Sequence, residues 1–489
     1  MVLLSDILRS VSSIRKQGNL KIDIGNICYD SRKVSPGDLF VAIKGGKLDG
    51  HDHIDAAIRK GAAAVMGEKS INGISSVPYI QVGNSRIALA ETASAYYGNP
   101  SDSLSLIGVT GTNGKTSTVY LIDSILKENG EKTGMLGTVI YKVGEQKTEA
   151  LWTTPESLTM HQYFYSMVQE NIQKVTMELS SHSLEQHRAE GLNFRLGVFT
   201  NLSQDHLDYH RSMAEYAAAK QRLFKQLDPV LGENIINGDD PESRGMTEQN
   251  RRPVFTYSAE SGKADVFPEK ADFSFDGIIS ELQTPAGKIN IESSLIGRHN
   301  LYNIMAAVTA GIALKIPVDI IKKGIRNFKI VPGRLEPVNA GQPFPVLVDY
   351  AHTDDAIKKV LDSVKKIIAG KLIAVFGCGG DRDRAKRQLM GKAAESGSDI
   401  AILTSDNPRT EDPEQIINDT LEGVSDKTKM EVYVDRTEAI RRAIDLADKD
   451  DCVLILGKGH ETYQDIKGVK HPYDDRIVAK KYLSGKNCD

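Results

Sequence analysis

Cysteine is scarce in this sequence, and the few that occur form no recognisable ligand set. The four are Cys28, Cys378, Cys452 and Cys488, and no two have the close spacing of zinc or iron–sulfur ligands. A chain of 489 residues does not need disulfide cross-links to be stable. We therefore expect free thiols in a reducing cytoplasm.

Long apolar runs and a dominant charge are lacking as well. No window approaches about 18 uninterrupted apolar residues, and the N-terminus, which carries Asp6, lacks the basic and apolar regions of a signal peptide. The 61 Lys and Arg are balanced by 65 Asp and Glu, which gives a net charge of -4. We expect no membrane span and no nucleic-acid partner, and any anionic ligand must be held by local geometry.

What the sequence does contain is typical of a large globular protein. Hydrophobic residues make up 40% and charged residues 26% of the chain. At the usual domain size, a chain of this length fits about three domains. Turn-rich segments at 97–100 and 331–334 mark the predicted boundaries. We expect domains at residues 1–100, 101–333 and 334–489.

Short β-rich runs alternate with helical patterns in the second and third segments, which predicts an α/β fold with parallel sheets. Residues 260–288, rich in turn-forming and charged residues, are expected to form exposed hairpins. The third segment has the pattern of a Rossmann-like domain, and ligands of such sheets bind beyond the carboxyl ends of the strands. The predicted strands are 104–110, 174–179, 196–201, 346–348, 372–376, 400–404, 431–434 and 452–456.

A glycine-rich loop follows the first of these strands and opens a predicted helix. Gly111 and Gly114 allow successive backbone N–H groups to converge on phosphate oxygens, and the helix N-terminus adds partial positive charge. Lys115 can reach the terminal phosphates, and Thr116 offers a hydroxyl to Mg²⁺. Only Thr112 and Asn113 separate the glycines, two fewer residues than in the usual motif. The pattern favours ATP or GTP binding.

Further polar clusters follow in the same segment. Glu178 ends a predicted strand, where an acid can hold the nucleotide's Mg²⁺. Residues 205–210 hold two acids and two histidines. Lys220 lies on a predicted helix, where a lysine is most often solvated. Asn300 and Asn303 begin another helix, and their amides can bond an adenine edge.

In the order and spacing of these motifs, the sequence resembles the Mur ligase family of ATP-dependent amide-forming enzymes of peptidoglycan synthesis. The shortened loop 111–116 matches that family's phosphate loop, and residues 349–352, Asp-Tyr-Ala-His, match another of its motifs. The resemblance implies a three-domain α/β Mur ligase fold. Its parts would be an N-terminal UDP-binding domain, a central P-loop ATPase-like domain with a parallel sheet, and a C-terminal Rossmann-like domain that brings the amino acid.

The resemblance also implies site residues, with ATP as co-substrate and Mg²⁺ as cofactor. Catalytic roles fall to Lys115, Glu178, His206 and Lys220, and the metal ligands would be Thr116, Glu178, His206 and Lys220 as its carbamate. ATP binding is implied for Gly111, Thr112, Asn113, Gly114, Lys115, Thr116, Asn300, Asn303, Arg334 and Asp349. The UDP-sugar peptide would be held by Ser31, Thr153, Thr154, Ser180, Gln186 and Arg188.

Residues 406–409, Asp-Asn-Pro-Arg, resemble the signature of the family members that add meso-diaminopimelate to UDP-N-acetylmuramoyl-L-alanyl-D-glutamate. The Arg409 guanidinium is suited to hold the distal carboxylate of that amino acid by two parallel hydrogen bonds, and Glu461 would pair its distal ammonium. The full set implied for this substrate is Arg382, Asp406, Asn407, Pro408, Arg409, Gly457 and Glu461.

Three alternatives remain open from the sequence. A lysine-adding Mur ligase differs at the position of Arg409, and a folylpolyglutamate synthase usually lacks the hundred residues that precede the phosphate loop. A nucleotide-sensing protein without turnover belongs to a different class, and a test for ADP release separates it from the ligases. We expect a monomer that acts on small molecules.

Overall fold

The computed structural model describes residues 1–46, 48–70, 76–248 and 250–486. Cys488 lies outside these ranges. The N-terminal part contains a five-stranded sheet in which one edge strand, Ser13–Gln17, is antiparallel to its neighbour and the others are parallel. Its strands are, in spatial order, Ser13–Gln17, Tyr79–Val82, Ala64–Gly67, Leu39–Val41 and Ile27–Cys28. Val2–Leu3 and Asp23–Ile24 form a separate pair, and the helices are Leu4–Ile7, Ile54–Arg59 and Ser85–Tyr96.

The central sheet has eight strands, and it is parallel except at one edge. There, Ile140–Val143 and Gln146–Glu149 run antiparallel, so the prediction of a parallel sheet needs this correction. The strand that carries the phosphate loop, Ser105–Thr110, is nearly fully buried, as expected for a parallel strand covered on both faces. The spatial order is Gln146–Glu149, Ile140–Val143, Thr133–Leu136, Lys174–Glu178, Ser105–Thr110, Phe194–Phe199, Glu233–Asn237 and Val254–Tyr257.

Helices cover both faces of the central sheet. On one face, Val119 and Ile122 of the helix after the phosphate loop pack with Ile304 and Ile321 in one apolar core. On the other face, Phe164 and Phe224 belong to a second core. The helices are Lys115–Glu128, Ser157–Gln169, Ser181–Glu185, Leu207–His210, Met213–Lys225, Ser243–Thr247, Arg298–Ala313 and Val318–Asn327.

Residues 260–288 overlap a three-stranded antiparallel sheet of hairpins, Phe267–Ser274, Gly277–Thr284 and Gly287–Ser293. The predicted hairpins are present, but the expectation that they are exposed is wrong for one face. Ile278, Leu282 and Ile291 are buried in the first central core, because alternate side chains of a strand point to opposite faces.

The C-terminal sheet has six strands, all parallel except the edge strand Glu336–Pro337. Its spatial order is Glu336–Pro337, Val346–Asp349, Cys452–Leu456, Leu372–Cys378, Ile400–Ser405 and Met430–Tyr433. The covering helices are Asp354–Lys365, Ala385–Gly397, Pro413–Leu421, Arg436–Leu446 and Asp475–Lys486. A hairpin that the sequence did not predict, Tyr463–Ile466 and Val469–Pro472, follows the sheet.

No helix among the described residues is both long and apolar enough to cross a membrane.

Candidate active site

Residues at the carboxyl ends of the central and C-terminal strands line one cavity of about 1010 Å³. This placement agrees with the rule for ligands of open α/β sheets. Many of the predicted site residues line it together. They are Thr112, Asn113, Gly114, Lys115, Thr116, Thr153, Thr154, Glu178, Ser180, Gln186, Arg188, His206, Asn303, Arg334, Asp349 and Arg382.

The phosphate loop is shaped by its two glycines. Gly111 has a φ of 146° and Gly114 a φ of 87°, which favour glycine. A Cβ atom on Gly111 would lie 1.9 Å from Thr200 Oγ1, and one on Gly114 would lie 2.4 Å from Asn303 Oδ1. The Lys115 ammonium donates to the carbonyl oxygens of Gly111 and Thr112, both at 2.9 Å. Burial lowers the pKa of Lys115, and the Glu178 carboxylate opposes this shift.

Glu178 and Thr116 lie together beside the loop. The Thr116 hydroxyl donates to Glu178 Oε2 at 3.0 Å, and the same carboxylate accepts from the backbone N–H of Thr138 at 2.7 Å and from its hydroxyl at 2.9 Å. The described residues contain no group of three or more His, Cys, Asp or Glu arranged to hold a metal ion. A carboxylate beside a hydroxyl still fits Mg²⁺ that arrives with a nucleotide, because this ion takes few protein ligands and keeps phosphate and water oxygens.

His206 lines the same cavity as Glu178. Its ring centroid is 4.7 Å from that of His182, and its Nε2 atom is 3.4 Å from Asp205 Oδ2. Burial lowers the pKa of His206 to about 3, although the Asp205 carboxylate opposes the shift. The imidazole is therefore neutral near pH 7 and retains a lone pair for a proton or a metal ion.

Lys220 is buried directly behind the phosphate loop, so the expectation of a solvated helix lysine is wrong. Only 1% of the residue is exposed, and its Nζ atom donates to the Gly111 carbonyl oxygen at 2.8 Å. The ammonium also lies 4.3 Å from the centre of the Tyr216 ring. Burial and the charge of Lys115 lower the pKa of Lys220 well below its usual value. This shift favours the neutral amine.

The two asparagines of the Arg298–Ala313 helix have different positions. Both are buried, but Asn303 lines the cavity, whereas Asn300 is not among the lining residues. Asn300 Nδ2 donates to the Ile296 carbonyl oxygen at 2.9 Å, and Asn300 Oδ1 accepts from Asn303 Nδ2 at 2.9 Å. Asn300 thus orients Asn303.

Four of the residues predicted for the UDP-sugar peptide, Thr154, Ser180, Gln186 and Arg188, are joined by hydrogen bonds in the central domain. Arg188 donates to the Thr154 carbonyl oxygen and to Gln186 Oε1, both at 2.8 Å. The Ser180 N–H donates to the Thr154 hydroxyl at 3.1 Å. Ser31, from the N-terminal sheet region, is not among the residues that line the cavity.

The residues predicted for diaminopimelate gather at neighbouring strand ends of the C-terminal sheet, and Arg382 alone of this set lines the cavity. Asn407 Nδ2 donates to Glu461 Oε2 at 2.9 Å. Gly457 packs closely on Asp406, since a Cβ atom there would lie 2.4 Å from Asp406 Oδ2. The Arg409 guanidinium donates to the Gly380 carbonyl oxygen at 2.5 Å.

Comparison with known proteins gives consistent matches along the chain. Family models match residues 23–97 as "Mur ligase family, catalytic domain", 109–311 as "Mur ligase middle domain" and 333–459 as "Mur ligase, glutamate ligase domain". The UDP-N-acetylmuramoyl-L-alanyl-D-glutamate–2,6-diaminopimelate ligase of Geobacillus thermodenitrificans is 45% identical over 464 residues, which cover 94% of each chain. The chain belongs to the Mur ligase family.

Solved structures agree with the Mur ligase assignment, and the predicted fold class is confirmed. A structure of a UDP-N-acetylmuramoyl-L-alanyl-D-glutamate–2,6-diaminopimelate ligase matches 99% of both chains with 32% identity and a TM-score of 0.71. A folylpolyglutamate synthase from Mycobacterium tuberculosis covers 82% of this chain and 95% of its own, with a TM-score of 0.64. At 17% identity, that likeness shows a shared fold alone.

The Mur ligase site includes residues that the sequence analysis did not single out. Thr138 holds the Glu178 carboxylate by two hydrogen bonds, and no motif marks it. Lys458 is fully buried between Asn407 and Glu461, with its Nζ atom 3.0 Å from Asn407 Oδ1 and 3.3 Å from Glu461 Oε2. The sequence feature that could have indicated Lys458 is its position between Gly457 and Gly459.

Proposed function

We propose that this Mur ligase joins meso-diaminopimelate to the D-glutamate of UDP-N-acetylmuramoyl-L-alanyl-D-glutamate, with ATP converted to ADP and phosphate. The observation that carries the proposal is the shared cavity, which is lined by the phosphate loop, by the Thr154 and Arg188 group and by Arg382. One space thus gives access to a nucleotide, an acidic peptide and an amino acid.

The chemistry begins with activation of a carboxylate. A carboxylate is a poor acyl donor because oxide is a poor leaving group. Transfer of the ATP γ-phosphoryl group to the D-glutamate γ-carboxylate gives an acyl phosphate, and attack by the diaminopimelate amine forms the amide and releases phosphate. Lys115 neutralises charge on the transferring phosphoryl oxygens.

Thr116 and Glu178 would hold Mg²⁺ next to that cation, with the neutral His206 facing the same cavity. When bound, the ion neutralises charge on the phosphate oxygens. The chain's own part is to fix the loop, through glycines that admit no side chain, and to hold the carboxylate of Glu178 through Thr138. Asn303 and Asp349, which both line the cavity, are proposed to contact the nucleotide.

Lys220 acts in this proposal as its carbamate. The neutral amine attacks the carbon of CO₂, so that a C–N bond forms while one C=O π bond opens onto oxygen. The nitrogen then gives a proton to water, and the product is a carbamate with an anionic oxygen that can serve as a ligand. The burial of Lys220 and the lowered pKa of its amine support this step.

Amino-acid selection is assigned to the cluster around Arg409. Arg409 and Arg382 would hold the distal carboxylate. Glu461 was predicted to pair the distal ammonium, but its carboxylate already lies 3.3 Å from the Lys458 ammonium. We therefore propose that Glu461, Lys458 and Asn407 act together, with the Asn407 amide as their shared hydrogen-bond partner.

The remaining expectations complete the proposal. We infer domain boundaries after residues 100 and 333, a monomer, and action in the cytoplasm. Ser31 is proposed to reach the uridine end of the substrate. Tyr29, two residues earlier, is close enough to Glu156 and Arg188 for their charges to affect the pKa of its phenol, after the larger effect of burial.

The test is ADP release by the purified full chain with ATP, Mg²⁺ and UDP-N-acetylmuramoyl-L-alanyl-D-glutamate, run with meso-diaminopimelate, lysine and ornithine in parallel. We expect release that requires all three substrates and is fastest with meso-diaminopimelate. Preference for lysine would support the lysine-adding alternative. Release without the amino acid, or none at all, would contradict a ligase.

A further inference from the structure

The helix Asp354–Lys365 of the C-terminal domain brings a carboxylate to the tip of the phosphate loop. Asp355, in the first turn of this helix, accepts with its Oδ2 atom from Asn113 Nδ2 at 3.0 Å and from Ser203 Oγ at 2.7 Å. Asn113 belongs to the phosphate loop, and Ser203 follows the neighbouring strand Phe194–Phe199. One carboxylate therefore joins two loops of the central domain.

Both donors are fixed to the phosphate loop by further hydrogen bonds. The Asn113 N–H donates to Asn201 Oδ1 at 3.0 Å, and its carbonyl oxygen accepts from the Thr200 hydroxyl at 2.6 Å. The Ser203 N–H donates to the Thr112 hydroxyl oxygen at 3.0 Å. Asp355 consequently binds an assembly in which hydrogen bonds join the phosphate loop to the 200–203 segment.

A second helix of the C-terminal domain contacts the same segment. Lys386, at the start of the helix Ala385–Gly397, places its Nζ atom 2.5 Å from Asp205 Oδ1, and both side chains are largely buried. The C-terminal domain thus contacts the central domain near the phosphate loop through Asp355 and Lys386, and Arg334 Nη2 also lies 3.4 Å from Thr116 Oγ1. Of these three residues, Asp355 bonds both Asn113 of the loop and Ser203 of the neighbouring segment.

Asp355 places a negative charge beside the phosphate loop. A carboxylate beside a loop that binds polyphosphate repels the ligand, so electrostatics alone would disfavour it there. Lys359, one turn later, offsets this charge, with its Nζ atom 2.8 Å from Asp355 Oδ2. What the carboxylate contributes is a firm connection between the two loops, because hydrogen bonds to an ionised acceptor are about twice as strong as those between neutral groups.

We propose that Asp355 is a positioning residue that aligns the phosphate loop with the docked C-terminal domain. It acts through Asn113 and Ser203 and touches no reacting atom. The inference rests on the proposed ligase function, in which the central domain activates the carboxylate and the C-terminal domain delivers the amine. Asp355 thereby fixes the orientation of the C-terminal domain relative to the phosphate loop of the central domain.

The first test compares full-length Asp355→Ala and Asp355→Asn with the wild type. For Asp355→Ala we expect kcat to fall about tenfold to a hundredfold, because two hydrogen bonds to a charged acceptor are lost. The KM for ATP should change by less than about threefold, since the backbone N–H groups of the loop remain. Asp355→Asn should recover most of kcat, because its carbonyl oxygen still accepts from Asn113.

The matched control is Asp354→Ala. Asp354 occupies the same turn, yet its side chain forms no hydrogen bond or ion pair with any described residue. We expect its kcat and KM to equal those of the wild type. A circular dichroism spectrum and melting temperature for each variant exclude a general folding defect.

A double-mutant cycle with Asn113→Ala tests whether Asp355 acts through the loop. In the Asn113→Ala background, Asp355→Ala should cost at least about fivefold less in kcat than in the wild type, since coupled residues are non-additive. Additive effects, an unchanged kcat in Asp355→Ala, or an Asn variant as impaired as the Ala variant would each overturn the inference. A wild type without substrate-dependent ADP release would overturn the proposed function itself.

Discussion

In the proposed reaction, phosphoryl transfer depends on the ammonium of Lys115. This residue begins the helix Lys115–Glu128, lines the cavity and is held by two carbonyl oxygens of the phosphate loop. We expect Lys115→Ala to lower kcat by about 10²-fold or more while the fold is retained, because a cation near the transferring phosphoryl group is lost. Steady-state kinetics measure this, and Lys127→Ala, on the same helix, is the control. A near-normal kcat in folded Lys115→Ala would contradict the assigned role.

Lys220 provides a second test, which concerns its chemical form. If it acts as a carbamate, Lys220→Ala should be inactive and partly rescued by formate or acetate, whose carboxylate can occupy the vacated position. Lys220→Arg should be inactive, because a guanidinium cannot form the carbamate. Activity with and without the added carboxylates is the measurement, and Lys225→Ala, exposed on the same helix, is the control. Retained activity in Lys220→Arg would show that a plain cation suffices.

Arg409 is predicted to determine the preference for diaminopimelate over lysine. If it holds the distal carboxylate, lysine leaves the guanidinium unpaired, and discrimination can reach roughly 10⁴–10⁵-fold. Arg409→Ala should lower kcat/KM for diaminopimelate by a factor that corresponds to about 2–5 kcal/mol, and the ratio of kcat/KM for diaminopimelate to that for lysine should fall sharply. Arg409→Lys should recover only part of the loss. The measurement is kcat/KM for both amino acids, with the exposed Arg441→Ala as control. An unchanged ratio would move recognition to Arg382 and Glu461.

At this scale the sequence predicts some of the residues that share the cavity but not how each is held. Residues 112–116 of the phosphate loop and Glu178 carry local patterns, and they line the cavity. The burial of Lys220 depends on Gly111, more than a hundred positions away in the chain, so no local pattern could show it. The pairing of Glu461 with Lys458 likewise depends on the turn from Lys458 to Glu461, which the Glu461 N–H closes by donating to the Lys458 carbonyl oxygen, and the motif alone does not give side-chain direction.

At the scale of elements, the buried parallel strands were predictable and the sheet edges were not. Ser105–Thr110 and Cys452–Leu456 contain apolar runs, which are typical of strands covered on both faces. The edge strand Gln146–Glu149 is fully exposed and polar, so its sequence resembles a loop. The sheet of residues 267–293 alternates polar and apolar side chains, and its buried face requires a partner core that sequence alone does not reveal.

The packing of that sheet gives an element-scale prediction. Ile291 is 1% exposed in the first central core, whereas Ile279, on the opposite face of the same sheet, is 63% exposed. We expect Ile291→Ala to destabilise the protein by about 2–5 kcal/mol and Ile279→Ala by less than about 0.5 kcal/mol. Denaturant-induced unfolding followed by circular dichroism measures the difference. Equal effects of the two substitutions would contradict the packing described.

At the scale of the whole molecule, function depends on contacts between parts that are distant in sequence. Arg334 Nη2 lies 3.4 Å from Thr116 Oγ1, Asp355 bonds Asn113, and Lys386 pairs with Asp205. Each contact joins the C-terminal domain to the nucleotide loops. Composition and motifs indicate that such domains exist, but their relative placement is set by complementary surfaces that have no local sequence pattern.

The most direct test of the proposed function is the identity and stoichiometry of the product. The purified chain is incubated with ATP, Mg²⁺, UDP-N-acetylmuramoyl-L-alanyl-D-glutamate and equal concentrations of meso-diaminopimelate and lysine, and products are identified by mass spectrometry while ADP is quantified. We expect the diaminopimelate tripeptide conjugate to form almost alone, with one ADP for each amide. ADP without amide, or a product that contains mainly lysine, would contradict the proposed reaction.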